Sequence, residues 1–432
     1  MARIGIRLED KSRWEARAPL VPQDVRQLIE THGLDITVQS SSVRAFDDDA
    51  YRAAGADVAD DVAGCAVILG VKEIPPELLE AGKTYVYFSH TIKGQPANMP
   101  ALRRLMELRC QLIDYERILD ERGQRTVLFG PFAGHAGMID TLWALGQRLR
   151  YEGVDTPFAQ VQPAHRYDDL AHAKREITQV GECIRRDGIP DSLRPLVCGF
   201  AGYGAVSKGA QEVYDCLPVK EVAPDQLSSC PALGDLVYKV VFKEEHMVER
   251  EDASAPFNLR EYYDHPKRYR ARFSPHAEHL TLLMNCIYWE PKYPRLLTRD
   301  HLRELYGREN RPRLRVIGDI TCDVGGSVEC MVRSTTPDNP IYVYDPATGT
   351  ARDGVEGDGP VVLAVDFLPC ELPIDSSNWF SGALRPLVPI LARADFGGPL
   401  ADSGLSPGLQ QATIVHGGEL TEPYEYLGSY LR

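Results

Sequence analysis

The 432 residues are too many for one ordinary hydrophobic core and predict two domains. Apolar residues make up 44% and charged residues 25%, a folded-protein balance, and no apolar run reaches the roughly 18 residues that a membrane span needs. A net charge of −14 argues against nucleic acid as a partner, and ten cysteines scattered without a Cys-x-x-Cys pair argue for a reducing compartment and no structural zinc.

The first residues run directly into a strand-like segment, so no signal or transit peptide is expected and the chain reads as cytoplasmic. Apolar runs at 3–8, 35–39, 66–70, 84–88 and 111–115 alternate with helical patterns, the rhythm of a parallel sheet with crossover helices. Met138, Leu142, Leu145 and Leu149 fall at helical spacing and predict a long connecting helix over 137–151. A second strand series follows at 197–201, 219–222, 236–241, 315–320 and 361–365. The stretch 244–270, dense in charge and tyrosine, predicts irregular excursions, and 376–391 is helical again. The tail after Gly397 is polar, with Tyr424, Tyr426 and Tyr430 available to dock on a core. The predicted fold is α/β: two doubly wound Rossmann-like domains with a cleft between them. Residues 1–150 with 376–432 form the first, and 151–375 form the dinucleotide-binding second.

The segment from Pro195 to Gln211 reads as an apolar strand, a glycine turn and a helix start. Gly202 and Gly204 allow a sharp turn and close ligand approach, with Tyr203, Ala205 and Val206 presenting amides to a pyrophosphate. Glu221 and Asp225 follow at about the spacing of a ribose-contacting acid. Ser207 occupies the third glycine position of the fingerprint, so a plain strand–helix connection stays open. In the first domain, polar groups gather at strand ends: Glu15 and Arg17, Lys72 and Glu73, His90, then Asp114, Glu116 and Arg125. Ligands of open α/β sheets bind at such ends, although single strand-end charges commonly just face solvent.

At these residues the chain resembles a known family. The stretches are Trp14-Glu-Ala-Arg-Ala-Pro-Leu20, Leu69-Gly-Val-Lys72, Phe88-Ser-His-Thr-Ile-Lys93, Val206-Ser-Lys-Gly-Ala-Gln211, Tyr288-Trp-Glu290 and Leu296-Leu-Thr-Arg299. In this order they are similar to the lysine–2-oxoglutarate reductase half of the bifunctional aminoadipic semialdehyde synthases, over nearly the whole chain. More distantly the pattern resembles lysine-forming saccharopine dehydrogenases and alanine dehydrogenases. The resemblance implies condensation of L-lysine with 2-oxoglutarate and reduction of the imine to saccharopine. It also implies that the second half of the bifunctional proteins is absent, leaving reductase activity alone. Lys72 and His90 match the relatives' acid–base pair, and Arg17 and Arg125 are candidates to clamp 2-oxoglutarate, though Arg125 also suits a hairpin turn. Glu73 and Glu116 either orient the two bases or oppose the shift that Lys72 needs.

Asp319 and Asp323 end a nucleotide-domain strand. Asp323, before Gly325 and Gly326, is the favoured substrate contact and Asp319 the cofactor contact, with a turn-former as the plain alternative. The relatives imply NADP(H) in preference to NAD(H), yet no arginine follows Val222 for a 2′-phosphate, and Glu221 and Asp225 suit a free ribose hydroxyl. His135 departs from the family's apolar residue, and no role follows from it. Glu244-Glu245-His246 reads as a solvated charge run, and no metal site is expected. Two other readings compete: an amino-acid or opine dehydrogenase with a different amine or keto acid, and an inactive nucleotide-binding regulator. A homo-oligomer is left open.

Overall fold

The computed structural model describes residues 1–252, 254–308 and 312–431. They divide into two compact units, Met1–Phe129 with Pro373–Arg432, and Gly130–Leu372. The long helix expected in the first domain starts earlier, at Phe132, runs to Tyr151, and belongs to the second unit. Its glycines explain why. A Cβ on Gly134 would run into the Val206 carbonyl and one on Gly146 into the Phe158 carbonyl, so the backbone itself is packed there and the helix is buried nearly all round.

The first unit is built on an eight-stranded sheet. From one edge it reads Glu419–Leu420, Thr413–His416, Gln111–Asp114, Thr84–Tyr87, Val67–Leu69, Ile4–Ile6, Ile36–Gln39 and Asp57–Ala59. The six strands from the front of the chain are all parallel, in the order 3-2-1-4-5-6. The central ones are short Ile/Val/Leu runs buried on both faces, as crossover helices require. The helix Pro22–His32 begins on a proline and stops at Gly33, whose φ of 62° supplies the left-handed cap. The returning C-terminal segment completes this unit. Ser377 and Ser381 hydroxyls accept the amides of Ala18 and Val21, and Thr413–His416 pairs antiparallel with Gln111–Asp114. The tail does dock: Tyr424 is buried, its hydroxyl bonded to Arg117 and to the Gln411 carbonyl.

The second unit has its own eight-stranded sheet, ordered Thr350–Asp353, Ile341–Asp345, Val361–Leu363, Val316–Asp319, Leu282–Asn285, Val197–Ala201, Val237–Phe242 and Val219–Glu221. Three features depart from expectation. The first two strands form an antiparallel hairpin at one edge. Leu282–Asn285, absent from the predicted strands, lies in the centre, its apolar run Leu282–Met284 ending in Asn285. Counted in chain order, the parallel strands run 2-3-1-4-5-6, so Val237–Phe242 pairs with the glycine-turn strand and Val219–Glu221 is displaced to the rim. The stretch expected to be irregular instead pairs Val248–Arg250 with Tyr269–Ala271 over a small cluster of Val248, Tyr262 and Tyr269.

Candidate active site

In the first sheet the strand order reverses between Ile4–Ile6 and Val67–Leu69, the place where open α/β sheets bind ligands. The loops leaving both strands interlock. Glu9, buried just beyond the first strand, accepts the amides of Val71 (2.6 Å) and Lys72 (2.9 Å). Its carboxyl is pushed up to about 7 by burial and by the neighbouring Glu15, against the pull of those two amides. The adjacent strand Thr84–Tyr87 joins in, since the Phe88 amide donates to the Val71 carbonyl.

Lys72 is half-buried, and its ammonium has no hydrogen-bond or ion-pair partner among the described residues. Burial, then the Arg17 guanidinium, lowers its pKa, while Glu15 and Glu73 pull the other way. Glu73 belongs instead to a second set of contacts. One oxygen meets His90 Nδ1 at 2.7 Å and the other meets Lys11 Nζ at 2.7 Å. Burial alone would raise that carboxyl, but the hydrogen bonds with His90 and Lys11 outweigh it and bring it down to about 2. A carboxylate at Nδ1 fixes the tautomer with the proton there, leaving Nε2, which has no partner among the described residues, to accept or donate. His90 sits at φ 49°, a left-handed conformation uncommon for a residue with a side chain. The Asn98 side chain holds its carbonyl at 3.0 Å, and Asp114 holds the preceding Ser89 through amide and hydroxyl. Asp114 is itself fully buried, which raises its carboxyl to about 6 despite those bonds.

The other expected residues fall into place unevenly. Arg17 is buried, grips Glu15 with two nitrogens and lies 4.0 Å over the Phe129 ring, so most of its charge is already answered. Arg125 is at once a hairpin residue, bridged to Leu119, and a partner of Glu116 at 3.4 Å. Lys11 and Glu9 were missed, although Glu9-Asp10-Lys11 is a charged strand end of the same kind as the others.

In the second unit, Gly202 turns at φ 95° and its amide bonds the Phe242 carbonyl at 2.9 Å. Gly204 heads the helix Ala205–Tyr214, no side chain caps it, and a Cβ at Gly204 would meet nothing within 4 Å. Tyr203, Gly204 and Ala205 are exposed and Val206 is half-buried. On the other side of the glycine strand, Asn285 is level with Ala201 and wholly buried, and its side-chain oxygen has no partner among the described residues. An open amide terminus, a clear space over Gly204 and an orphaned polar atom at the same strand ends fit a dinucleotide. Gly209 has another task, since a Cβ there would run into the Pro131 carbonyl.

Asp319 is buried, accepting from Asn285 (2.8 Å) and the Cys322 amide (3.2 Å), and burial raises it to about 7. Asp323 is exposed in the turn that Gly325 and Gly326 complete. Cys198 is a buried strand residue, whereas Cys322 lies beyond its strand at φ 55°. Glu221 and Asp225 are exposed: Glu221 ends the rim strand, 3.5 Å from Lys239, and Asp225 lies on the short turn after it. Neither is beside the glycine turn strand, because Val237–Phe242 intervenes. His135 packs on Phe132 and meets Glu212 at 2.9 Å, linking the long helix to the glycine-turn helix.

Residues 5–136 match the family described as "Alanine dehydrogenase/PNT, N-terminal domain". The chain is 38% identical to the mitochondrial α-aminoadipic semialdehyde synthase of Mus musculus, over 98% of this chain and 47% of that protein. It thus spans about half the length of such relatives. It is 28% identical to the L-lysine-forming, NAD(+) saccharopine dehydrogenase of Emericella nidulans, over 89% of this chain and 90% of that one. A solved L-alanine dehydrogenase shares the fold with a TM-score of 0.64 at 17% identity, each chain covered in full. Residues 5–136 are thus similar to the alanine dehydrogenase/PNT N-terminal domain, and the whole chain is similar to the α-aminoadipic semialdehyde synthases and the lysine-forming saccharopine dehydrogenases.

Proposed function

We propose that this chain is a reductase that condenses the ε-amine of L-lysine with the ketone of 2-oxoglutarate and reduces the imine to saccharopine. The observation that carries the reading is that two adjacent parallel strands end in a half-buried Lys72 of lowered pKa, with no ion-pair partner among the described residues, and in a His90 ring held by Glu73. The condensation needs a base to free the incoming amine and an acid to release water. A lysine whose charged form is disfavoured releases its proton more readily than a free one, so a larger fraction is the neutral amine able to act as base. His90, with Nδ1 committed to Glu73, offers Nε2 for the second transfer. Arg17 and Arg125 stay the candidates for the substrate carboxylates, with Glu15 and Glu116 as the partners that orient them. Asp323, exposed on its turn, is the remaining candidate for the substrate amine.

A reduced nicotinamide dinucleotide supplies the hydride that reduces the imine. The turn Gly202 to Val206 would hold its pyrophosphate, and Asn285 and Asp319 lie at the neighbouring strand ends. The scattered free thiols support a reducing compartment, and we place the protein in the cytoplasm on that ground. Among the described residues no helix is long and apolar enough to cross a membrane.

The test is loss of reduced-nicotinamide absorbance with L-lysine and 2-oxoglutarate together, and not with either alone. Turnover with pyruvate and ammonia instead would move the chain to amino-acid dehydrogenation. Dinucleotide binding without turnover of any amine would make it a regulator.

A further inference from the structure

The sheet order of the second unit relocates the acid that reads the cofactor's ribose. In a doubly wound sheet that acid ends the strand lying next to the glycine-turn strand, on the side away from the switch point. Here the neighbour is Val237–Phe242, and Val219–Glu221 lies beyond it, about 10 Å from the glycine strand at two strand spacings. The residues that follow Phe242 are Lys243, Glu244, Glu245 and His246. They are tied to the turn directly. The Gly202 amide bonds the Phe242 carbonyl, and the Glu244 carboxylate lies close enough to the phenol of Tyr203, inside the turn, for its charge to raise that phenol's pKa. Tyr263 donates to the same carboxylate at 2.6 Å, fixing it from the other side.

We propose that Glu244, with Glu245 beside it, is the ribose-reading acid of this chain and makes it prefer NAD(H) to NADP(H). The inference rests on the nicotinamide-dinucleotide part of the reading above. A carboxylate accepts from both ribose hydroxyls, whereas a 2′-phosphate brings close to two further negative charges against it. The local balance opposes that phosphate. Lys243 and Arg272 contribute two positive charges and Glu244, Glu245 and Asp225 three negative, a net of −1, and burial first of all lowers the His246 pKa. The expectation of NADP(H) drawn from relatives is thereby reversed for this chain.

The test is equilibrium binding of NADH and of NADPH to the full chain, followed by calorimetry and by tryptophan quenching. The wild-type protein should bind NADH at least about tenfold more tightly, the scale of one charged hydrogen bond. Glu244→Gln keeps an acceptor for Tyr263 and removes the charge, so the preference should shrink about tenfold, chiefly by tighter NADPH binding. Glu221→Gln, on the rim strand, should leave the ratio where it was. Tighter NADPH binding by the wild type, a ratio unmoved by Glu244→Gln, or a ratio moved by Glu221→Gln would each overturn the inference. The lysine-dependent assay is separate. NADPH preference with saccharopine formed removes only this inference, and a Glu244-dependent NADH preference without saccharopine removes only the reaction.

Discussion

The two sheets share a parallel core but treat the space beside their first strands differently. In the first unit the order 3-2-1-4-5-6 puts the loops after Ile4–Ile6 and Val67–Leu69 side by side, so Glu9 can hold the Lys72 amide. In the second, Val237–Phe242 occupies the position that chain order would give to Val219–Glu221, and the expected ribose acids end on the rim. Spacing along the chain locates a glycine turn well. What lies beside that turn is decided by strand order, which local spacing does not encode.

The largest expected effect tests the first unit. Lys72→Met should bind NADH and NADPH as the wild type does and lose about 10²–10⁴ in turnover with lysine and 2-oxoglutarate, the usual range for a positioned acid–base group. Wild-type turnover would remove Lys72 from the mechanism. The second unit is tested by its two glycines. Gly209→Ala forces a Cβ onto the Pro131 carbonyl and should cost about 1–3 kcal/mol in urea unfolding. Gly204→Ala meets open space and should change stability by less than about 1 kcal/mol while weakening dinucleotide binding. Equal effects on stability would erase the distinction between a packing glycine and a ligand-space glycine.

Glu73→Gln returns to the first unit with a smaller effect. Weakening the charge-assisted bond to His90, worth about 1.5 kcal/mol, should slow turnover roughly tenfold. Its pH signature has a defined sign. The folded carboxyl at about 2 lies below the free value of about 4.3, so its stabilisation is present above that value and drains as pH falls toward 2. Unfolding followed across that window should show a shallower acid limb in the variant. The smallest effect is on stability. Because the folded state disfavours the charged Lys72, Lys72→Met should unfold slightly later than wild type at neutral pH, by about 2 °C. That advantage should fade as pH rises through the lowered lysine value toward about 10.4.

Much of this was legible in the residues. Alternating apolar runs gave the α/β class, and the strands at Val197–Ala201 and Thr84–Tyr87 appear where their patterns lie. The Lys72–His90 neighbourhood was readable because both follow apolar strands whose ends must align in a parallel sheet. Leu282–Asn285 is as fully buried as Val197–Ala201, and a run this short does not separate strand from helix by periodicity. The Glu73 partnership could not be read either. Its neighbour in sequence is Lys72, yet its carboxylate turns to His90 and Lys11, contacts made across 17 and 62 residues. Arg17 looked like an open clamp, and only the fold brings Phe129 over it, with Glu15 closing its fork two residues away.

The proposed chemistry depends on a lysine side chain that is half-buried yet has no carboxylate partner among the described residues. Side-chain NMR of ¹³C-labelled lysines across pH, with the Lys72 resonance identified by its loss in Lys72→Met, reads that property directly. The account predicts a Cε signal that titrates below about 10.4, the value of a free lysine. A Lys72 signal that titrates at or above that value would mean the ammonium is solvated or paired, and the proposed proton transfer would lose its source.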